Sequence, residues 1–338
     1  MKKIISLLLV ICMIFVVAAC GAKETPADNS KPPVVESSTP QTDESKTPDE
    51  SSETPPAEES KAPVIDKDRG GNSITLPDKI EKVMAFGPSN SEILVALGEG
   101  SKIIAIDTYA TNIDGLPADL PQFDMMTPDA EKIVSLAPDV IFITGMSKLM
   151  GEDDPYKSIT DTGVCVIYIS SSESILGVME DIQFVADVMG QSEKGAEIVS
   201  NMEKEIEAIK KIGDTITEKK KVYFEISAAP YMYSFGTGVF LNEMLELIGA
   251  ENVLADQQSW ISVSDEVILS TNPDVILTSV NYLDDPAGEI MSRAGWDAVT
   301  AVKDEAVYQI STDSSNRPSQ NITKALQEMA KAIYPDKY

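Results

Sequence analysis

Residues 129–144 read DAEKIVSLAPDVIFIT, and residues 264–279 read SDEVILSTNPDVILTS. Each stretch contains Pro-Asp-Val-Ile, and an acidic residue, Glu131 or Glu266, stands seven positions before its proline. A helical pattern that stops at a proline and leads into a short apolar run is typical of a β/α unit. Because each half of the chain contains this unit, the sequence predicts two similar lobes with a cleft between them.

A second pair of segments supports the duplication. Residues 92–98 (EILVALG) and residues 243–249 (EMLELIG) are both amphipathic, and both end in a glycine suited to a helix C-terminus. After residue 74, short apolar runs alternate with helical patterns, as in parallel sheets of α/β proteins. The predicted strands are 82–86, 103–107, 140–144, 164–169, 221–226, 275–279 and 306–310. Two helices are predicted between the halves, at 173–189 and 192–212, and the second is one long helix that joins the lobes.

The N-terminal region has the composition of a targeting segment and a linker. Residues 1–20 combine two lysines, an apolar run and a small-residue site before Cys20, which predicts a signal peptide and resembles the bacterial lipobox. Residues 21–63 contain eight prolines and ten acidic residues against four lysines, so they predict a disordered tether. Residues 64–338 remain for the folded part, with lobes at about 64–171 and 214–338.

Charge and histidine content exclude several kinds of function. The formal net charge is −28 and the chain has no histidine. Such a chain repels nucleic acid and anionic lipid. Lack of histidine excludes His-based metal ligation and a Ser-His-Asp triad. Cys165 lies in an apolar run and is expected to be a buried small hydrophobic residue, with no partner for a disulfide in the mature chain.

The loops that follow the strands are the expected ligand site. In open α/β sheets, ligands bind outside the carboxyl ends of the strands, and here the loops after the strands contain many aromatic residues, which suit a broad, partly apolar ligand. Packing remains an alternative for Tyr231 and Tyr233, which alternate like a half-buried strand, and for Met125. Asp313 could simply pair with Arg317. The candidate ligand residues are Tyr109, Phe123, Met125, Tyr231, Tyr233, Trp260, Tyr282 and Arg317.

The paired glutamates have a structural interpretation of their own. Glu131 and Glu266 each follow a plausible helix cap, Asp129 and Ser264, by two residues. Acidic residues in the first turn stabilise a helix through its dipole. From the residues alone, this interpretation is favoured over a role in binding a basic partner.

Several segments in order resemble a known family. They are 83–98, 131–141, 236–254, 260–276 and Arg317-Pro318-Ser319 before a helix. Together they resemble the lipid-anchored or periplasmic substrate-binding proteins of ABC importers for ferric siderophores, haem and cobalamin. The resemblance covers essentially all of 64–338.

The resemblance implies a fold, a partner and a site. The fold would be class III periplasmic-binding: α/β, with two Rossmann-like lobes of parallel sheet bridged by a single long helix. Glu131 and Glu266 match glutamates that dock onto arginines of a permease dimer, which works with a cytoplasmic ATPase. Tyr109, Trp260 and Arg317 match ligand-facing positions, with Phe123 or Met125 near a further one.

The resemblance also implies a function. The protein would be a monomer without catalytic residues, cofactor or metal of its own, held by lipid at Cys20 on the extracytoplasmic face of the cell membrane. Because few cations are available, Arg317 and Lys148 being the candidates, cobalamin or a hydroxamate-type ferric siderophore fits better than a catecholate complex. The alternatives are a haem-binding protein of the same family, a two-lobed chelatase-like enzyme and a sensor or scaffold lipoprotein.

Overall fold

The computed structural model describes residues 65–148, 154–170 and 173–338. The predicted signal peptide with Cys20 and the predicted tether lie outside the described residues, as does the side chain of Lys148. From residue 65 onward, the described residues belong to one compact unit. Within them, no helix is both long and apolar enough to cross a membrane.

The first lobe is a parallel sheet with helices on both faces. Its strands lie in the order β3-β2-β1-β4-β5, and every neighbouring pair is parallel. The chain order is β1 (Val83–Ala85), α1 (Pro88–Ala96), β2 (Ile103–Asp107), β3 (Gln122–Phe123), α2 (Ala130–Ser135), β4 (Val140–Thr144), α3 (Lys157–Thr160) and β5 (Cys165–Ile169).

Two helices, α4 (Ile175–Val188) and α5 (Ser192–Gly213), lead from the first sheet to the second. The sheet of the second lobe has the order β11-β10-β6-β8, again with parallel neighbours, and β7 and β9 form a separate antiparallel ribbon. Its elements are β6 (Lys221–Glu225), β7 (Tyr233–Phe235), α6 (Phe240–Ile248), β8 (Glu251–Asn252), β9 (Trp260–Ser262), α7 (Asp265–Thr271), β10 (Val275–Thr278), α8 (Pro286–Met291), α9 (Thr300–Lys303), β11 (Val307–Gln309), α10 (Thr312–Asn316) and α11 (Ile322–Ile333).

The duplicated sequence corresponds to a duplicated topology. Strands β2-β1-β4-β5 of the first sheet match β8-β6-β10-β11 of the second in order and direction. Pro-Asp-Val-Ile leads into β4 and β10, which lie beside β1 and β6. The glycine at the end of the second repeated helix, Gly249, caps it in the left-handed conformation at φ 82°. The α/β class, the parallel sheets and the two lobes are therefore confirmed.

One apolar core continues through both lobes. Side chains alternate along each strand, so Val83 and Phe142 face this shared core, whereas Met84 and Ile141 face a separate cluster on the other side of the first sheet. In the second sheet, Val222 likewise faces the shared core and Tyr223 a third cluster. The lobes are thus joined by packed side chains as well as by the chain.

The predicted strands and the two predicted helices are present, and the helix predicted at 173–189 is Ile175–Val188. Each predicted strand is present, with ends that differ by at most one residue, and the long predicted helix 192–212 is Ser192–Gly213. The short strands β3 and β8, of two residues each, were not predicted. They lie at or near the sheet edges and pair with β2 and β6.

Candidate functional site

The carboxyl ends of the parallel strands define the candidate ligand site. In each lobe the chain passes first to one side of the initial strand and then to the other, so the order reverses between β1 and β4 and between β6 and β10. Ligands of open α/β sheets bind at such switch points. The residues discussed below follow these strand ends or lie on the neighbouring β7–β9 ribbon.

The ribbon presents two aromatic side chains on a rigid base. Phe235 pairs with Trp260 and Tyr233 with Ser262 in the antiparallel register. The indole of Trp260 meets the buried ring of Phe235 almost edge to face, with centroids 6.1 Å apart, while 40% of Trp260 and 39% of Tyr233 stay exposed. The strand-like alternation corresponds to β7 from Tyr233 onward, whereas Tyr231 precedes the strand.

Tyr282 supports the loop that carries Tyr231. The hydroxyl of Tyr282 accepts a hydrogen bond from the backbone amide of Ala228 at 2.8 Å and lies 3.4 Å from the hydroxyl of Ser227. This contact joins the loop after β10 to the loop after β6. Tyr231 itself is 84% exposed and Tyr282 is 63% exposed, so both are accessible to a ligand.

In the first lobe, a buried carboxylate positions the loops. Asp107, at the end of β2, accepts hydrogen bonds from the amides of Tyr109 at 2.8 Å and Met125 at 3.2 Å. Burial raises the pKa of the Asp107 carboxyl, and these two backbone donors oppose that shift. Tyr109 remains 71% exposed. It is the most exposed aromatic residue among the predicted ligand residues of this lobe.

Phe123 and Met125 lie largely within the first lobe. Phe123 packs on the buried ring of Phe86 with centroids 5.7 Å apart, and Met125 is buried. The hydroxyl of Tyr156 donates to the Met125 carbonyl at 3.0 Å. Met125 is therefore a packing residue, as the alternative interpretation predicts. Phe123 is half-buried, on β3 at the edge of the first sheet.

Arg317 connects the two lobes. Its Nη1 donates to Oε1 of Glu92 at 2.9 Å, and its Nη2 lies 2.7 Å from Oδ1 of Asp313. The same Nη2 donates to the carbonyl of Tyr109 at 3.2 Å and to Oδ1 of Asn112 at 2.9 Å. The anticipated pairing with Asp313 is present, and the guanidinium holds the loop that carries Tyr109.

A cavity of about 360 Å³ lies beside this junction. Its lining combines Asn112 from the first lobe with residues after β10 and β11 of the second. The lining is polar and includes two carboxylates. The residues are Asn112, Asn281, Gln309, Ile310, Ser311, Thr312, Asp313 and Glu328.

Glu131 and Glu266 occupy equivalent exposed positions. Each lies in the first turn of a short helix, α2 or α7, that begins on the side of the sheet where the parallel strands end. Asp129 caps α2 by accepting from the amide of Lys132 at 3.1 Å. At α7 the Ser264 hydroxyl bonds the Glu266 carboxylate instead, which lowers the pKa of Glu266. The predicted capping positions are correct, and both glutamates are accessible.

Sequence reasoning missed the residues that join the lobes. Glu92 was placed in an amphipathic helix without a role, yet it is 6% exposed and accepts from three side chains of the second lobe. A carboxylate within the apolar segment EILVALG is the signal that could have indicated a buried partner. Among the described residues, no group of three His, Cys, Asp or Glu side chains is placed to hold a metal ion.

Comparison with known proteins places the chain in a family. Residues 83–313 match the family described as periplasmic binding protein. The chain belongs to the periplasmic binding protein family. Its members are substrate-binding proteins of transport systems rather than enzymes.

Individual relatives of this periplasmic binding protein cover most of its length. A Bacillus subtilis protein named as an uncharacterized ABC transporter substrate-binding lipoprotein is 31% identical over 276 residues, covering 80% of this chain and 85% of the relative. A cobalamin-binding protein of Halobacterium salinarum is 24% identical over 287 residues, covering 80% and 74%. The crystal structure of a possible iron-binding, periplasmic solute-binding protein from Staphylococcus epidermidis matches with a TM-score of 0.67 at 28% identity, covering 76% of this chain and all of that one. The predicted family and class III fold are thereby confirmed.

Proposed function

We propose that this protein is the extracytoplasmic substrate-binding component of an ABC importer and that its cleft binds a ferric siderophore or cobalamin. The family and the names of its relatives support the transport role. One of those relatives is named for cobalamin and another for iron. The protein captures its ligand and delivers it, without catalysing a reaction.

The observation that carries the ligand class is the set of exposed aromatic rings around the strand ends. Each main member has structural support: Tyr109 through Asp107, Trp260 through Phe235, and the Tyr231 loop through Tyr282. Rigid, exposed rings bind large flat or apolar surfaces at low entropic cost. In this site Phe123 and Met125 pack below the loops of the first lobe. Arg317 positions Tyr109 through a hydrogen bond to its carbonyl.

The protein also contacts a permease and is held to the membrane by a lipid anchor. Glu131 and Glu266 contact basic residues of a permease dimer, which is coupled to a cytoplasmic ATPase. Their equivalent positions in two similar lobes suit a partner with two-fold symmetry. Cys20 carries the lipid that holds the protein to the membrane, residues 21–63 join this anchor to the lobes, and the protein acts as a monomer.

Ligand titration tests the function. Cyanocobalamin, haem and a panel of ferric siderophores are added while intrinsic fluorescence and heat of binding are recorded. Trp260 is exposed at the proposed site whereas Trp296 is buried against Tyr223, so we expect the largest response from Trp260 and its loss in a Trp260→Phe variant. Binding of haem alone would favour the haem-binding alternative, and binding of none of these compounds would refute the proposal.

A further inference from the structure

Glu92 is a buried carboxylate, and in the described part of the chain all of its hydrogen-bond donors come from the other lobe. It lies in α1 of the first lobe. Its Oε1 accepts from Arg317, and its Oε2 accepts from the Ser319 hydroxyl and from Nδ2 of Asn321 at 2.8 Å. One carboxylate therefore fastens the segment before α11 and pairs with Nη1 of the guanidinium.

The charge of each arginine in the chain is compensated in the same way. The chain has three arginines, and each forms ion pairs with two carboxylates. The pairs are Arg69 with Glu180 and Asp181, Arg293 with Glu225 and Glu289, and Arg317 with Glu92 and Asp313. Among the described residues, each guanidinium is thus already paired with two carboxylates.

The space beside Arg317 is acidic. Asp313, whose side chain is 43% exposed, lines the cavity of about 360 Å³ together with Glu328. An adjoining cavity of about 390 Å³ is lined by the same two residues, by Glu92 and by a single lysine, Lys324. Around this junction, the three carboxylates of Glu92, Asp313 and Glu328 outnumber the two positive charges of Arg317 and Lys324.

Both Nη atoms of the largely buried Arg317 side chain are paired with carboxylates, so an anionic ligand would compete with Glu92 and Asp313 for the guanidinium. Displacing Glu92 would leave a buried carboxylate without its charged partner, which is strongly unfavourable. A ligand without net negative charge avoids both this loss and repulsion by Asp313 and Glu328.

We propose that Glu92 sets the charge selectivity of the cleft: by holding Arg317 in an ion pair between the lobes, it restricts the site to ligands that carry no net negative charge. This inference rests on the proposed function, because it assumes that the cleft is the ligand site. It excludes ferric tris-catecholates and free oxyanions, and it retains cobalamin and neutral ferric hydroxamates.

Two iron complexes of opposite character test the inference on the unaltered protein. A neutral ferric trihydroxamate, a trianionic ferric tris-catecholate and neutral cyanocobalamin are titrated by calorimetry. At least one neutral ligand should bind about tenfold or more tightly than the catecholate, the difference expected for a charged group left without a partner. Equal or tighter binding of the catecholate overturns the inference while leaving the transport function intact. If none of the three binds, the inference is also overturned, and the proposed function is then decided by the full panel of siderophores and haem.

Substitution of Glu92 tests the residue itself. Glu92→Gln keeps the size of the side chain and removes the charge that neutralises Arg317. It should raise catecholate affinity by about tenfold and leave affinity for the neutral ligand within about twofold. The matched control is Glu243→Gln, the equivalent position in the second lobe, whose carboxylate accepts only from the amide of Ile175 at 2.7 Å among the contacts described.

A double variant assigns any gain to Arg317. In Glu92→Gln combined with Arg317→Met, the gain in catecholate affinity should disappear, because the freed guanidinium is absent. Removing both members of a buried pair is tolerated better than removing one, so this variant is informative if the single one does not fold. Catecholate affinity that is unchanged in Glu92→Gln, raised equally in Glu243→Gln, or raised in the double variant refutes the role of Glu92.

Discussion

Asp274 and Lys221 exchange two hydrogen bonds at the entrance to the second sheet. The carboxylate of Asp274 accepts from the amide of Lys221 at 2.8 Å, and the amide of Asp274 donates to the Lys221 carbonyl at 2.8 Å. Asp139 and Lys82 make the same exchange in the first lobe, at 2.8 Å and 2.9 Å. The aspartate of the repeated Pro-Asp-Val-Ile thus sets the register of the two central strands in each lobe.

Replacing this aspartate should destabilise the protein without affecting the site. Asp274→Ala removes the acceptor of a backbone amide at a half-exposed position, so we expect a loss of about 1 kcal/mol in the free energy of unfolding. Urea denaturation measures this change, with Asp336→Ala, an exposed position near the C-terminus, as the control. A loss no greater than that of the control would show that the side-chain bond is dispensable.

Truncating the ribbon tryptophan should weaken ligand binding. Trp260→Ala removes an exposed ring whose support, Phe235, stays in place, and we expect an affinity about 10- to 100-fold lower with little change in stability. Tyr308→Ala serves as the control, since Tyr308 is a similarly exposed aromatic residue in the middle of β11. Equal effects of the two substitutions on affinity would argue against a ligand contact at Trp260.

Charge reversal at the paired glutamates should separate uptake from binding. Glu131→Lys with Glu266→Lys is expected to reduce uptake by about tenfold or more through repulsion of a basic partner surface, while calorimetry shows unchanged ligand affinity. Glu218→Lys is the matched control, because Glu218 is exposed just before β6, at the end of the sheet where the parallel strands begin. Lower ligand affinity in the double variant would instead place the glutamates in the cleft.

Stability should fall at alkaline pH. Burial raises the pKa of the Cys165 thiol to about 11 and the pKa of the Tyr338 phenol to about 12. Since the folded state favours the neutral forms, their stabilisation is complete below the unfolded pKa values, about 8.5 and 10, and is lost as pH rises toward 11 and 12. The urea midpoint should therefore decrease between pH 9 and 12, and Tyr338→Phe should reduce the upper part of the decrease. A constant midpoint over this range would contradict the prediction.

Local patterns were sufficient to predict the longer strands of both sheets and the two helices between the lobes. The apolar runs of β4 and β10 and the periodicity of α5 depend on neighbours in sequence, and their bounds were predicted to within one residue. Strands β3 and β8 have two residues each and exist through pairing with a strand already in place, so no periodic signal marks them.

In the candidate site, too, contacts between residues that are distant in sequence could not be predicted. Tyr109 and Trp260 could be predicted as candidate ligand residues because the sequence shows aromatic residues in the segments that follow the predicted strands. The ion pair of Glu92 could not be predicted, because its partner Arg317 is 225 positions away in the sequence. Only the folded chain shows that two charged residues assigned to different lobes neutralise each other.

The apolar core shared by the two lobes makes the protein a single cooperative unit. Val83 and Phe142 of one sheet belong to the same buried cluster as Val222 and Leu277 of the other, so neither half can melt without exposing the interior of its neighbour. Heating should accordingly give one calorimetric transition. A ligand bound at the carboxyl ends of the strands of both lobes would then raise the melting temperature of the whole protein. Thermal shift therefore offers a screen for unknown ligands that requires no assay of transport.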